Sequence, residues 1–170
     1  MEEIRNKIAE SGLINLDIAK FKPSEETILE FDIANHLWQG LILKEKDFRA
    51  FLAEHDWAIY QDKNVFIHCS ADAIVPTWAF MLVASKMQEI ANFVTVGSKL
   101  DLQKALIEKA IQAFDISAYH EERFIIKGCS DIVDPAFAMV KLTQKLQPIA
   151  KSIMYGEPCS TVPVYKAPRK

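Results

Sequence analysis

The chain has 170 residues, half of which are apolar, and a formal net charge of -3. This composition supports one well-buried core and gives no basic face, so we expect a single domain over residues 1–170 that binds no nucleic acid. No apolar run approaches the roughly 20 residues that cross a bilayer, and the polar start of the sequence is unlike a signal peptide. The sequence therefore predicts a cytoplasmic protein without a membrane segment, in which the cysteines stay reduced.

The first half of the chain predicts alternating strands and helices. Apolar residues at Leu41–Leu43 predict a strand, and helical spacing of the apolar positions over Lys44–His55 predicts a helix. A second strand is expected at Val65–Ile67. Pro76 marks the start of a second helix, because proline fits the first turn of a helix.

The second half predicts the same order of elements. A strand at Phe93–Gly97 precedes a helix over Leu102–Phe114, and Phe124–Ile126 forms the next strand. Asp134 is well suited as the N-cap of a helix that begins with Pro135. Each half is thus expected to contribute strand, helix, strand and helix.

A spacing of 59 residues, which slips to 60 only at Cys69 and Cys129, relates the two halves. Matching residues lie 59 positions apart, among them Asp56 and Asp115, Pro76 and Pro135, and Gln88 and Gln147. We interpret the match as an internal repeat over roughly residues 38–91 and 93–150, followed by a cysteine-containing loop over 151–170. Two amphipathic helices that match by chance are the alternative. The pattern predicts an α/β fold, a three-layer sandwich with a mainly parallel sheet built from two tandem βαβα units.

All three cysteines are followed by serine. Cys69 and Cys129 follow predicted strands and precede helix amino termini, whose free N–H groups stabilise thiolates. Cys159 lies in a turn-rich segment that contains glycine and two prolines. Three such thiols predict ligands for zinc or for an iron–sulfur cluster. The alternative is that Cys69 and Cys129 are inert packing residues.

Polar residues beside the cysteines have two possible roles. Ser70, Ser130 and Ser160 would donate hydrogen bonds to the thiolates, although serine also suits a helix cap. Asp72 and Asp131 are either additional ligands or helix caps. Their matched positions in the repeat fit both roles.

The histidines and aromatic residues give weaker signals. His36, His55 and His120 occur in no recognisable ligand spacing, so we expect them at the surface or partly packed. Aromatic residues at matching positions of the repeat, such as Tyr60 and Tyr119, are expected in the core. The sequence contains no dinucleotide-binding, Walker, nucleophile-elbow or Cys-x-x-Cys motif.

Three long motifs resemble a known family. The strings CSADAIVPTWAFM, KGCSDIVDPAFA and LQPIAKSIMYGEPCSTVPVYK, which contain all three Cys-Ser pairs, are similar to the DUF2480 family of Bacteroidetes. The resemblance covers nearly the whole chain. It implies no established activity, but genes of this family lie near those of the SUF iron–sulfur assembly system. The resemblance therefore favours iron over zinc and implies iron–sulfur assembly proteins as partners.

Three functions follow as hypotheses, and they leave open whether the protein is an enzyme. In the first, Cys69, Cys129 and Cys159 bind an iron–sulfur cluster or a single metal ion for cluster assembly. In the second, one cysteine is a low-pKa nucleophile of a thiol enzyme or a persulfide carrier, and another resolves the intermediate. In the third, the protein is purely structural or an interaction module, for example a homodimer.

Overall fold

The computed structural model describes residues 12–128, 131–157 and 159–168 of the chain. These residues form two compact units. Unit 1 comprises residues 12–22 and 106–168, and unit 2 comprises residues 23–105.

Unit 2 contains a three-stranded parallel sheet with strand order β2-β3-β4. Its strands are β2 (Ile28–Asp32), β3 (Asn64–His68) and β4 (Phe93–Val96). Its helices are α1 (Glu45–Glu54) and α2 (Thr77–Met87). Short 3-10 helices span Glu25–Thr27, Ile33–His36 and Trp57–Tyr60.

The core of unit 2 lies between its sheet and its helices. Val65 and Ile67 of β3 point to one face and pack with Phe48 of α1 and Val83 of α2. Phe66, which points to the other face, is also buried. Burial on both faces explains why β3 is an uninterrupted apolar run in the sequence.

Unit 1 contains a four-stranded sheet with strand order β1-β5-β6-β7. Its strands are β1 (Leu13–Asp17), β5 (Arg123–Lys127), β6 (Ser152–Glu157) and β7 (Ser160–Lys166). The first three are parallel, and β7 runs antiparallel to β6. A 3-10 helix at Ile18–Phe21 follows β1, and the two longer helices are α3 (Lys99–Ala113), which enters unit 1 at Leu106, and α4 (Pro135–Leu146).

The core of unit 1 has the same organisation. Phe124 and Ile126 of β5 pack with Ile107 of α3 and Leu142 of α4, while Ile125 is buried on the opposite face. Helix α4 begins as expected, since the Asp134 carboxylate accepts a hydrogen bond of 3.0 Å from the Phe137 N–H.

The predicted α/β class with mainly parallel strands is confirmed, and helices packed on the sheet faces agree with a three-layer sandwich. The strands within the described ranges lie in two sheets, one in each unit. Strand β4, which we assigned to the second repeat, belongs to unit 2 with β3.

Two local predictions were wrong. Leu41–Leu43 form no strand, and only an isolated bridge joins Trp38 to Ile42. Leu41 and Ile42 are exposed, so these apolar residues are not part of a buried strand. The segment 151–170, predicted as a loop, contains the β6–β7 hairpin, because β6 adds to the edge of β5 and β7 folds back on β6.

Equivalent turns occur at the constant spacing of the repeat. The Asp56 carboxylate accepts from the Ala58 N–H at 3.0 Å, and the Asp115 carboxylate accepts from the Ser117 N–H at 2.9 Å. Asp62 and Glu121 both have positive φ, 60° and 59°, and their N–H groups donate to the carbonyls of Ile90 and Ile149, which are themselves a matching pair of the repeat. These contacts lie at matching positions of the sequence, and the internal repeat itself stays a prediction.

Candidate functional site

Cys69 directly follows β3 in the loop that leads to α2. It is half-buried and packs against the core of unit 2. Its thiol donates one long hydrogen bond of 3.6 Å to the Ala71 carbonyl, and Sγ makes no other hydrogen bond within the described part of the chain. The sulfur thus sits at the carboxyl end of a central parallel strand with little competition for its lone pairs.

The residue after Cys69 is fixed by a carboxylate of β2. The Ser70 N–H donates to Asp32 Oδ1 at 3.0 Å, and the Ser70 hydroxyl donates to Oδ2 at 2.5 Å. Asp32 Oδ1 also accepts from the Ala34 N–H at 2.9 Å. Both Ser70 donors are therefore used on Asp32, whereas the sequence predicted a donor to the Cys69 thiolate.

These hydrogen bonds control the charge of Asp32. Burial raises the pKa of the carboxyl group, but the hydrogen bonds from Ser70 and Ala34 and the nearby His68 together outweigh burial and hold the pKa below its usual value. Asp32 is thus ionised at neutral pH, and it ties the Cys69 loop to the turn after β2.

Cys159 is exposed at the turn of the β6–β7 hairpin, between Glu157 and Ser160. The hairpin is tight at Gly156, where φ is 118° and an added Cβ would lie 2.5 Å from the Ser160 carbonyl oxygen. Ser160 itself is the first residue of β7. The thiol is therefore open to solvent on a backbone whose geometry is set by glycine.

Replacing Gly156 by alanine is expected to lower the free energy of unfolding by about 2–3 kcal/mol, because the methyl group adds a backbone clash to the strain of positive φ. Gly40→Ala is the matched control. Gly40 also has positive φ, 71°, but has no heavy atom within 4 Å of an added Cβ, so about 1 kcal/mol is expected. Urea denaturation of both variants measures the difference. Equal losses would show that the hairpin has room for a side chain at Gly156.

Cys129 and Ser130 lie outside the described residues. Lys127, the last residue of β5, comes two positions before Cys129 in the sequence, and Glu157, the last residue of β6, comes two positions before Cys159. Strands β5 and β6 are parallel neighbours, so their carboxyl ends share one edge of the sheet. At that edge, Lys127 Nζ and Glu157 Oε2 are 3.6 Å apart.

The two aspartates beside the cysteine loops do not cap the helices. The N-cap of α2 is Pro76, which makes no side-chain bond, and the N-cap of α4 is Asp134. Asp131 instead pairs with Lys22, with 3.3 Å between Oδ1 and Nζ, and Asp72 is exposed. The helix-cap interpretation was therefore wrong for both residues, and their role as ligands stays a prediction.

Among residues 12–128, 131–157 and 159–168, no group of three or more histidine, cysteine or acidic side chains is placed to hold a metal ion. Cys69 belongs to unit 2 and Cys159 to unit 1. The predicted site of three cysteines needs Cys129, so its assembly stays a prediction.

Sequence reasoning missed a second candidate site in unit 2. A cavity of about 340 Å³ beside the edge strand β2 is lined by eight residues: Glu30, Phe31, Asp32, Asn35, His36, Phe51, His55 and Tyr60. His36 and His55 do not occur in a recognisable ligand spacing, so the sequence did not indicate a site here. The repeated tripeptide Asp-Ile-Ala, at residues 17–19 and again at 32–34, is a signal that could have led to it.

A family model described as a protein of unknown function, DUF2480, matches residues 2–167. The chain belongs to the DUF2480 family. No curated protein and no solved structure matches it. Within the described residues, no helix combines the length and the apolar character needed to cross a membrane. These comparisons give no activity, so the function is inferred from the arrangement of the side chains.

Proposed function

We propose that the protein binds a metal centre, an iron–sulfur cluster or zinc, through the thiolates of Cys69, Cys129 and Cys159. The observation that carries the proposal is the shared sheet edge of unit 1. Cys159 follows β6 and Cys129 follows β5 in the sequence, and these two strands are parallel neighbours. We also propose a role in iron–sulfur assembly, in line with the family resemblance, and a place in the cytoplasm, in line with the sequence.

The donor chemistry fits such a centre. Thiolates are the ligands that iron–sulfur clusters and structural zinc prefer. Cys159 is exposed, and Cys69 is half-buried with a single long contact to its sulfur in the described chain, so neither thiol is sealed in a core. A bound cluster would supply electron-transfer or cluster-delivery chemistry, and the chain would supply the ligands.

The test is the metal content of protein purified without oxygen and without a histidine tag. We expect stoichiometric iron with acid-labile sulfide, or stoichiometric zinc. Each of Cys69→Ser, Cys129→Ser and Cys159→Ser is expected to lower the content about tenfold, because an incomplete thiolate set binds metal weakly. Ser85→Ala, a change at an exposed serine of α2, is the control and keeps full content.

Full metal content in all three single cysteine variants would overturn the proposal. If zinc is present without sulfide, the centre is mononuclear. Circular dichroism of each variant separates loss of the ligand from loss of the fold.

The exposure of Cys159 favours one second candidate, a thiol enzyme or persulfide carrier. A turn cysteine that is open to solvent can reach a partner's sulfur, whereas the half-buried Cys69 is less accessible. This candidate expects iodoacetamide to label Cys159 well before Cys69 in metal-free protein, followed by mass spectrometry of the peptides. Equal and slow labelling of all cysteines would remove its basis.

A further inference from the structure

Two short segments of the chain have the same sequence pattern and the same local structure. Residues 17–21 are Asp-Ile-Ala-Lys-Phe in unit 1, and residues 32–36 are Asp-Ile-Ala-Asn-His in unit 2. In each segment the aspartate ends a strand and accepts a hydrogen bond of 2.9 Å from the N–H of the alanine two positions later. The isoleucine is fully buried in both. Position 20 is therefore equivalent to position 35, and position 21 to position 36.

In unit 1 an ammonium group of the chain itself lies on the aromatic cluster beside this segment. Lys20 Nζ lies 3.7 Å from the ring centroid of Phe114 and 5.2 Å from that of Phe21. Tyr119 lies next to Phe114, with 5.9 Å between ring centroids. An ammonium over aromatic faces is attracted by the ring quadrupoles.

In unit 2 the equivalent segment also lies beside aromatic rings, but it has asparagine at the position of Lys20. The repeat spacing pairs Phe114 with His55 and Tyr119 with Tyr60, and the ring centroids of His55 and Tyr60 are 5.8 Å apart. Lys20 is replaced by Asn35, whose short side chain turns back to the Asp32 carbonyl at 3.5 Å. Asn35 is one of the residues that line the cavity of about 340 Å³.

The charges around the cavity favour a cation. Two acidic residues, Glu30 and Asp32, are among its lining residues, and no lysine or arginine of the described chain lines it. The Glu30 carboxylate also lies 3.1 Å from His68 Nε2, and Asp32 accepts the hydrogen bonds from Ser70 and Ala34. Burial, and then the neighbouring His55, lower the pKa of His36, an effect that Asp32 only partly opposes. His36 is thus neutral at pH 7 and does not offset the acidic groups.

The His55 ring contributes a polar atom to this region. His55 Nε2 is buried and has no hydrogen-bond partner among the described residues. The His55 ring also lies 4.9 Å from Phe51, and Phe51 stacks on His36 at 3.8 Å between centroids. A ligand with a polar head and a flat apolar body would complete these contacts.

We infer that this cavity binds a small organic amine, whose ammonium group takes the place that the Lys20 ammonium takes in unit 1. The cavity volume is near the lower end for small-molecule sites, which leaves room for an apolar body beside Phe31 and Phe51. None of the residues that line this cavity is a cysteine.

The test uses the full chain and two probes of equal shape, 2-phenylethylamine and its neutral analogue 2-phenylethanol. Titrations are followed by the NMR signals of the His36 and His55 ring protons. We expect the amine to bind about tenfold more tightly than the alcohol and to shift the signals of both histidines. Equal affinity of the two probes, or no shift of these signals, would overturn the inference.

Substitutions at Asn35 test whether an ammonium group of the chain itself can occupy the cavity. Asn35→Lys is expected to abolish amine binding, because the new ammonium fills the cavity as Lys20 fills its equivalent. Asn35→Gln, of similar length without charge, should retain most of the affinity, and Lys20→Gln in unit 1 should leave it unchanged. Unchanged amine binding by a folded Asn35→Lys variant would also overturn the inference. If that variant does not fold, the comparison of the two probes on the natural chain still tests the inference.

A third probe identifies the source of the amine. Lysine with both backbone ends blocked presents the same ammonium on a side chain. If it binds as tightly as 2-phenylethylamine, the natural ligand is a lysine of another chain, and if it binds about tenfold more weakly, the ligand is a free amine.

Discussion

Replacing Phe124 by alanine is expected to lower the free energy of unfolding by about 3–5 kcal/mol. Phe124 lies in β5, which has strands on both sides, and its side chain is fully buried against the core of unit 1. Its ring meets Tyr119 edge to face, with 6.0 Å between centroids. Truncation removes these contacts and leaves a cavity that α3 and α4 can fill only in part. Urea denaturation followed by circular dichroism measures the loss.

Val140→Ala is the matched control for this prediction. Val140 lies on α4 in the same unit, but 56% of its surface is exposed. Its truncation is expected to change the free energy of unfolding by less than about 0.5 kcal/mol. A similar loss in both variants would mean that Phe124 is not part of a packed core.

The second large effect is expected at Asp32, where alanine should cost about 2–4 kcal/mol. The carboxylate accepts three hydrogen bonds, two of them from Ser70, and without it the Ser70 and Ala34 donors lose their partner. Asp56→Ala is the control, because Asp56 caps only the Ala58 N–H and should cost about 1 kcal/mol. If the two variants lose the same stability, the link from β2 to the Cys69 loop contributes nothing.

The Asp32 effect should depend on pH in a defined direction. The pKa of Asp32 is lower in the folded protein than its usual value, so the ionised form is the one that folding favours. Its contribution is fully present above the unfolded pKa of about 3.9 and is lost as the pH falls through the lower folded pKa. The stability difference between the natural chain and Asp32→Asn should therefore shrink below about pH 4. Denaturation at pH 7 and at acid pH checks this, and a difference that grows in acid would contradict it.

The sequence predicts the central elements of the fold well. Strands β3 and β5 are continuous apolar runs because both of their faces are buried, and the two prolines mark the helices that follow them. Strands β1 and β2 were missed because each lies at the edge of its sheet and mixes apolar with polar residues. Their pairing partners are distant in the chain, so no local pattern reports them.

The candidate sites differ in how visible they are in the sequence. Cys69 could be placed at the end of a strand because the apolar run of β3 precedes it, whereas Cys159 was predicted in a loop and lies at the turn of the β6–β7 hairpin. The cavity around His36 and His55 was hidden, since it depends on residues from β2, two 3-10 helices and α1 that no spacing rule connects. The clue to this cavity is the tripeptide Asp-Ile-Ala, which begins at Asp17 and again at Asp32. These two copies are much closer together than the matching residues of the internal repeat, so the repeat does not reveal them.

Strand β1 has a consequence for how the chain folds as it leaves the ribosome. Leu13, near the start of the chain, pairs with Arg123 of β5, which is made only after all of unit 2. At about 5–20 residues per second, synthesis separates the two partners by about 5–20 s. During that time the strands of unit 2 are complete and can form their sheet, whereas β1 has no β5 to pair with. Unit 1 therefore closes last, and β1 is the segment that a chaperone at the ribosomal exit would meet unpaired.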